Sequence, residues 1–332
     1  MKVAVAGLGW WGRQIISCLA KSSRFDILYG VDPAPPAGTD EFLAEYGIRH
    51  GKELSDVLAE KNLEGVILAT PHSLHEEQCL AVIAAGKELF CEKPLTMTAM
   101  GAAQVIEACQ RRGKILGIGH ERRYEEGFEQ VQSFLDRGVL GKPLLFEANV
   151  SHDLFRNADK SNWRLDPKHA PGGMMTGTGI HLTDLAICFF GPVATVQAHT
   201  ATLVFEPPAI DFVNVTLSFK CGARGTITLL SCTPYCGRVA VFGDRGWVEV
   251  VSEGNVDQGK PTTATLCTGT REPREVKSYK PSDTVTQNFE AWASAVTGEG
   301  VYRFTKEQIL ENIKVFEAVV NSATAGGAVI EM

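Results

Sequence analysis

The sequence predicts an α/β protein made of an N-terminal doubly wound parallel sheet and a C-terminal α/β domain with an open, mostly antiparallel sheet. Three observations carry this. Short β-rich runs alternate with helical patterns over the first 120 or so residues, as βαβ units do. A glycine-rich turn joins the first strand directly to the first helix. Past residue 190, strand patterns follow one another without helices between them, as in antiparallel sheets. The 332 residues suffice for two cores, and the change of texture near residue 122 divides the chain into 1–122 and 123–332.

Element by element, the runs 3–6, 26–31, 66–69, 88–91 and 115–118 are short, apolar and rich in β-branched residues, so they read as buried parallel strands. Helical spacing occupies 12–20, 42–46, 55–60, 74–85 and 99–112 between them. A helix over 128–137 and a strand over 144–150 follow, then a polar segment, 151–171, and a helix over 174–190 opened by glycines. Alternation places strands at 196–205, 212–220, 225–231, 239–242, 247–251 and 263–267. Two helices close the chain, near 285–295 and 306–323, the second opened by Thr305-Lys306-Glu307-Gln308, a capping-box pattern.

Composition narrows the function classes. Hydrophobic residues at 44% and charged residues at 21% are ordinary globular values, and the net charge of -7 gives no basic footprint for nucleic acid or anionic membrane. No apolar run approaches a bilayer span, and the apolar start breaks at Gly9, Gly12 and Arg13, so the reading is a soluble cytoplasmic protein without a targeting segment. Nine cysteines, an odd number and mostly in apolar segments, read as reduced thiols. Cys232 and Cys236 lack a nearby second pair of ligands, so no metal site is expected.

The strongest motif is Gly7-Leu8-Gly9-Trp10-Trp11-Gly12, between first strand and first helix. Gly7 permits the tight turn, Gly9 lets a pyrophosphate approach the backbone, and Gly12 lets helix pack on strand, so that free amides and the helix dipole meet phosphate charge. Asp32 ends the second strand, 20 residues past Gly12. There a carboxylate accepts bonds from ribose hydroxyls and repels a 2′-phosphate, which favours NAD(H) over NADP(H). Trp10 and Trp11 read either as cofactor flanks or as helix packing. Two further clusters, Thr70-Pro71 with His75 and Glu92-Lys93-Pro94, follow strand ends where ligands of doubly wound sheets bind.

These motifs, together with Gly86-Lys87, Trp163-Arg164 and Gly172-Gly173 with His181 and Asp184, resemble the family of glucose–fructose oxidoreductase, inositol dehydrogenase and the MocA-like proteins. The resemblance is dense over 2–124, returns at 163–190 and is architectural thereafter. It implies a Rossmann domain, bound NAD, and a second domain whose sheet joins copies into a homodimer or homotetramer. It also implies hydride transfer at a hydroxyl or carbonyl carbon of a sugar, cyclitol or sugar derivative. By position, Lys93 matches the family's active-site lysine and His181 its catalytic histidine. Thr70, Pro71, His75 and Glu92 then line the cofactor groove, with Trp163 beside the nicotinamide. Arg122, Trp163, Arg164 and Thr178, with Lys93 and His181, then surround the substrate.

The chemistry asks for such groups. Oxidising CH–OH needs a base for the hydroxyl proton, and a neutral imidazole at His181 suits it. An ammonium at Lys93 stabilises developing alkoxide character or polarises the carbonyl in reverse. Two departures from the family pattern stand out. Gly177 occupies the position, four residues before His181, where many relatives carry an Asp that orients the ring, and Glu121 replaces a usual Asn. Asp184, Asp153 and Asp166 are other acids that could support the imidazole. The double arginine Arg122-Arg123 reads equally as a substrate contact or as a solvated pair. Arg156, Lys160, Arg164 and Lys168 suit an anionic substrate, or simply a solvated loop. Two rival functions are a glycosidase that uses NAD transiently to oxidise C3 of a glycoside, and a non-catalytic NAD-binding regulator, which Gly177 prompts.

Overall fold

The computed structural model describes residues 1–159 and 162–332. In chain order the first stretch runs β1 (Lys2–Ala6), α1 (Trp10–Leu19), β2 (Asp26–Val31), α2 (Thr39–Glu45), β3 (Arg49–Gly51), α3 (Leu54–Leu58), β4 (Gly65–Leu68), α4 (His75–Ala84), β5 (Glu88–Cys91), α5 (Ala99–Arg111) and β6 (Leu116–Ile118). The middle runs α6 (Glu126–Asp136), β7 (Pro143–Ser151), one π-helical turn (Met175–Gly179), α7 (Ile180–Phe190), β8 (Val193–Ala201), β9 (Phe212–Phe219) and β10 (Arg224–Leu230). Then come β11 (Cys236–Gly243), β12 (Trp247–Ser252), β13 (Thr262–Cys267), β14 (Glu275–Tyr279), α8 (Thr284–Val296), α9 (Lys306–Thr324) and β15 (Ile330–Glu331).

The chain forms two compact units, Met1–Glu121 with Asp283–Ile313, and Arg122–Ser282 with Lys314–Met332. The first unit holds a six-stranded sheet ordered β3-β2-β1-β4-β5-β6, every pairing parallel. Its central strands are buried along nearly their whole length, because helices cover both faces and only continuous apolar runs satisfy that environment. Order reverses between β1 and β4, which opens a crevice at the carboxyl ends of these strands.

Residues 123–332 do not form the single domain that the sequence texture predicts: α8 and the first part of α9 belong to the first unit. The reason is packing around Phe90 of β5. Phe289 lies 4.0 Å from the Phe90 ring and Trp292 5.5 Å from it, centroid to centroid. Both rings are essentially solvent-free. Polar bonds fix the register: the Trp292 indole donates to Ile115 O at 3.0 Å, and Asn288 donates to Ile118 O at 2.8 Å.

The second unit is built on a nine-stranded sheet ordered β14-β13-β12-β11-β7-β10-β9-β8-β15. β7 and β10 pair in parallel, and all other neighbours are antiparallel. Alternating burial along β9, β10 and β12 shows one face turned to a core and one left open. β8 ends at Ala201, short of the expected 205. The Asp211 carboxylate gathers the amides of Leu203, Val204 and Phe205 into a turn instead. Those bonds hold the Asp211 carboxyl below its ordinary range, against the opposing push of burial.

Candidate active site

In the first unit the glycine turn has the geometry its sequence demands. Gly7 adopts φ 91°, and a Cβ there would lie 2.4 Å from Ala69 O. A Cβ at Gly12 would lie 1.8 Å from Gly7 O, so neither position accepts any other residue without moving backbone. At Gly9 the space beyond Cα is open for 4 Å, and no side chain caps α1. The first amides of α1 therefore face an open cradle, the arrangement that receives a pyrophosphate. Asp32 holds the edge of that cradle: one carboxylate oxygen accepts Leu8 N at 2.8 Å and the other accepts Ala34 N at 2.9 Å. A dinucleotide fits this donor set. Trp10 is 58% exposed beside the turn, and Trp11 tucks against it with ring centroids 5.4 Å apart.

The ends of β4 and β5 supply the next groups. Thr70 follows β4 and donates its hydroxyl to the Gln78 side chain on α4, while Pro71 is exposed. Glu92 and half-buried Lys93 follow β5. The Glu92 carboxylate lies against the Cα of Gly119, where any Cβ would come within 2.6 Å of it. Burial, and then the charge of Glu121, push Glu92 up to about 7, opposed by Lys93. The buried Trp11 indole N–H lies near enough to favour the carboxylate, although it makes no hydrogen bond of ordinary geometry. His75, the first residue of α4, is fully buried with Nδ1 2.7 Å from Pro94 O and Nε2 3.0 Å from Thr70 O. Its ring has no solvent exposure, so it does not face an open groove, and burial pushes its pKa down.

The second unit carries the remaining candidates. His181 is the second residue of α7 and 5% exposed, directly after the π-helical turn that contains Thr178 and Gly177. One turn further, Asp184 accepts both arms of Arg123 at 2.7 Å, and both side chains are buried. Asp184 is therefore committed to Arg123, which anchors α7. Gly177 is exposed, and a Cβ there would meet nothing within 4 Å. Arg122 is buried, 3.1 Å from Glu125 and 2.9 Å from the Asn255 side-chain oxygen. Trp163 carries the Arg164 guanidinium 4.2 Å from its ring centroid, and burial lowers the Arg164 pKa. Lys160 lies outside the described residues.

Two residues were not singled out in the sequence. His152 follows β7 and Tyr235 precedes β11, at the same end of two paired strands. Among the described residues the His152 Nδ1 and the Tyr235 hydroxyl are buried and lack a hydrogen bond of ordinary geometry, although both feel the Arg122 charge. Burial dominates both shifts, lowering His152 and raising Tyr235. Only their location at strand ends could have flagged them. No cluster of His, Cys, Asp and Glu among the described residues could hold a metal ion, and no helix there is long and apolar enough to cross a membrane.

Comparison with known proteins agrees with this layout. Residues 1–120 match the family model described as an oxidoreductase family with an NAD-binding Rossmann fold. Residues 128–249 match the GFO/IDH/MocA C-terminal domain. Inositol 2-dehydrogenase 2 of Saccharopolyspora erythraea is 27% identical over 335 residues, covering 98% of this chain and 94% of its own. 1,5-Anhydro-D-fructose reductase of Ensifer adhaerens is 26% identical, covering 86% of each chain. The crystal structure of GenD2 from gentamicin A biosynthesis, in complex with NAD, superposes with a TM-score of 0.84 at 25% identity, covering 100% of this chain and 96% of that one.

Proposed function

From the premise that the chain belongs to the GFO/IDH/MocA oxidoreductase family, with an NAD-binding Rossmann fold, we propose that it transfers hydride between NAD and a hydroxyl or carbonyl carbon of a sugar or cyclitol. Relatives named as inositol dehydrogenases and an anhydrofructose reductase support that substrate class. The observation that carries the reading is the open glycine cradle edged by Asp32, with a lysine at the end of β5 in the same sheet. Bound in the cradle, NAD supplies the hydride acceptor or donor. Gly9 and the first amides of α1 would take the pyrophosphate, and Asp32 the adenosine ribose. Trp10, Trp11, Thr70, Pro71, Glu92 and Trp163 are proposed to flank the cofactor.

In oxidation, a ring nitrogen of His181 takes the substrate hydroxyl proton, while the Lys93 ammonium donates to the same oxygen as charge develops there. In reduction, His181 returns the proton and Lys93 polarises the carbonyl. Arg122, Arg164 and Thr178 are proposed to orient the substrate hydroxyls, joined by His152 and Tyr235, whose spare polar atoms a polyol would satisfy. We place self-association into a dimer or tetramer on the open face of the second sheet, where Val251 stands exposed.

The test is a screen of polyols and aldoses for change in reduced-nicotinamide absorbance, run with Lys93→Met and His181→Ala. Each variant should lose at least 100-fold in kcat/KM while still quenching tryptophan fluorescence on binding NAD. Cleavage of a chromogenic glycoside without net cofactor reduction would replace this reading with the transient-oxidation glycosidase. NAD binding without any turnover would replace it with a regulatory role.

A further inference from the structure

We propose that His75 is a positioning residue that fixes the Lys93 amine by gripping the main chain at Pro94. The imidazole has no solvent exposure, yet both of its nitrogens meet main-chain carbonyl oxygens, Pro94 O at 2.7 Å and Thr70 O at 3.0 Å. A neutral ring carries one N–H and can donate to only one carbonyl. Complete burial favours the neutral ring and outweighs the two carbonyl contacts, which favour the charged one; the Lys93 charge in its field acts with burial. We assign the proton to Nδ1, at the shorter contact, so that Nδ1–H donates to Pro94 O.

That carbonyl belongs to the residue directly after Lys93. Its bond ties the segment leaving β5 to the first turn of α4. One turn along the same helix, Gln78 holds the Thr70 hydroxyl at the end of β4. α4 thus grips the ends of two neighbouring parallel strands, and His75 is the grip on the strand end that carries the lysine. Packing alone would ask for an apolar residue at a site this buried. A ring with two nitrogens facing two carbonyls is selected for direction.

The inference rests on the reading of Lys93 as the group that polarises the substrate oxygen, and its test separates the two. The Asn side-chain nitrogen falls where His Nδ1 lies, and the Gln nitrogen where Nε2 lies. His75→Asn therefore keeps the donor to Pro94 O, and His75→Gln removes it. Lysines are reductively methylated with 13C-formaldehyde and a borane reductant, and the Lys93 resonance is assigned by its absence in Lys93→Arg. In His75→Asn that resonance and its titration should match the unsubstituted protein. In His75→Gln the resonance should move and kcat fall about 100-fold, the scale of an ångström-sized misplacement, with NAD affinity unchanged. Equal behaviour of the two variants, or an unmoved Lys93 resonance in His75→Gln, would overturn the proposal. The unsubstituted protein gives a check that survives misfolding of either variant: 15N shifts must show Nδ1 protonated at neutral pH, and an Nε2–H tautomer sinks the idea. Full activity of Lys93→Met would instead remove the functional reading and leave the positional result standing.

Discussion

Gly177→Asp should place a carboxylate one turn before His181. The position is exposed, its φ is not in the left-handed region, and a Cβ there meets nothing within 4 Å, so the side chain enters open space. Residue 177 sits in the π-helical turn that leads into α7, one turn before His181, and side chains on adjacent turns stand with Cβ atoms about 5–6 Å apart. At about 5 Å and an effective dielectric near 20, a carboxylate stabilises an imidazolium by about 3 kcal/mol, a ceiling of about two pKa units. Position 177 is open to solvent, which screens the pair and leaves about one unit. The assay is the pH dependence of kcat/KM in the oxidative direction. Its acidic limb, which reports the base in the free enzyme, should move up by about one pH unit, and Gly177→Asn should not move it. Asp in the turn that precedes α7 suits the helix dipole and replaces a glycine, so the melting temperature should stay within about 2 °C. An unmoved limb in a folded, NAD-binding Gly177→Asp protein would refute the placement of residue 177 beside a catalytic imidazole.

Two further outcomes follow from geometry already described. Glu92, raised from 4.5 to about 7, binds its proton more tightly folded than unfolded, so between those pH values stability falls as pH rises. Glu92→Gln should therefore raise stability by about 3 kcal/mol above pH 8 and by little below pH 4.5, as read by chemical denaturation across pH. A stability gain independent of pH would show that the carboxyl is not the strained group. Asp32→Ala should weaken NAD binding, because Leu8 N and Ala34 N lose their acceptor, and narrow the preference for NAD over NADP by about 100-fold. Fluorescence titration with both cofactors decides it, and an unchanged ratio would show that another group reads the ribose.

Much of the first unit was legible because its signals are local. Gly7, Gly9, Gly12 and Asp32 are each dictated by a steric or electrostatic need that the spacing of the motif encodes. The capping pattern at Thr305 likewise shows its bond, with Gln308 N donating to the hydroxyl at 3.2 Å. The strands left unread are β3, β14 and β15, two of them very short and β14 exposed along most of its length. At sheet edges the apolar alternation that betrays a strand fades. His75 was legible as part of a motif but not in its orientation. Sequence spacing says that it opens a helix, not that its ring turns inward to two carbonyls. Asp184 illustrates a different limit. Its place three residues after His181 offered it as an orienting acid, but Arg123, 61 positions earlier in the chain, takes both of its oxygens. Non-local partners decide such roles, and nothing in the local pattern announces them.

Because the first unit is assembled from 1–121 and 283–313, it cannot be excised at the apparent boundary. A fragment stopping at 121 would leave the Phe90 face bare of Phe289 and Trp292, and the carbonyls of Ile115 and Ile118 without their donors. Such a truncation should precipitate or remain molten. A tractable minimal cofactor module would need the 283–313 hairpin stitched back through a short designed connection, which makes the middle of the gene, rather than its end, the natural place for domain exchange.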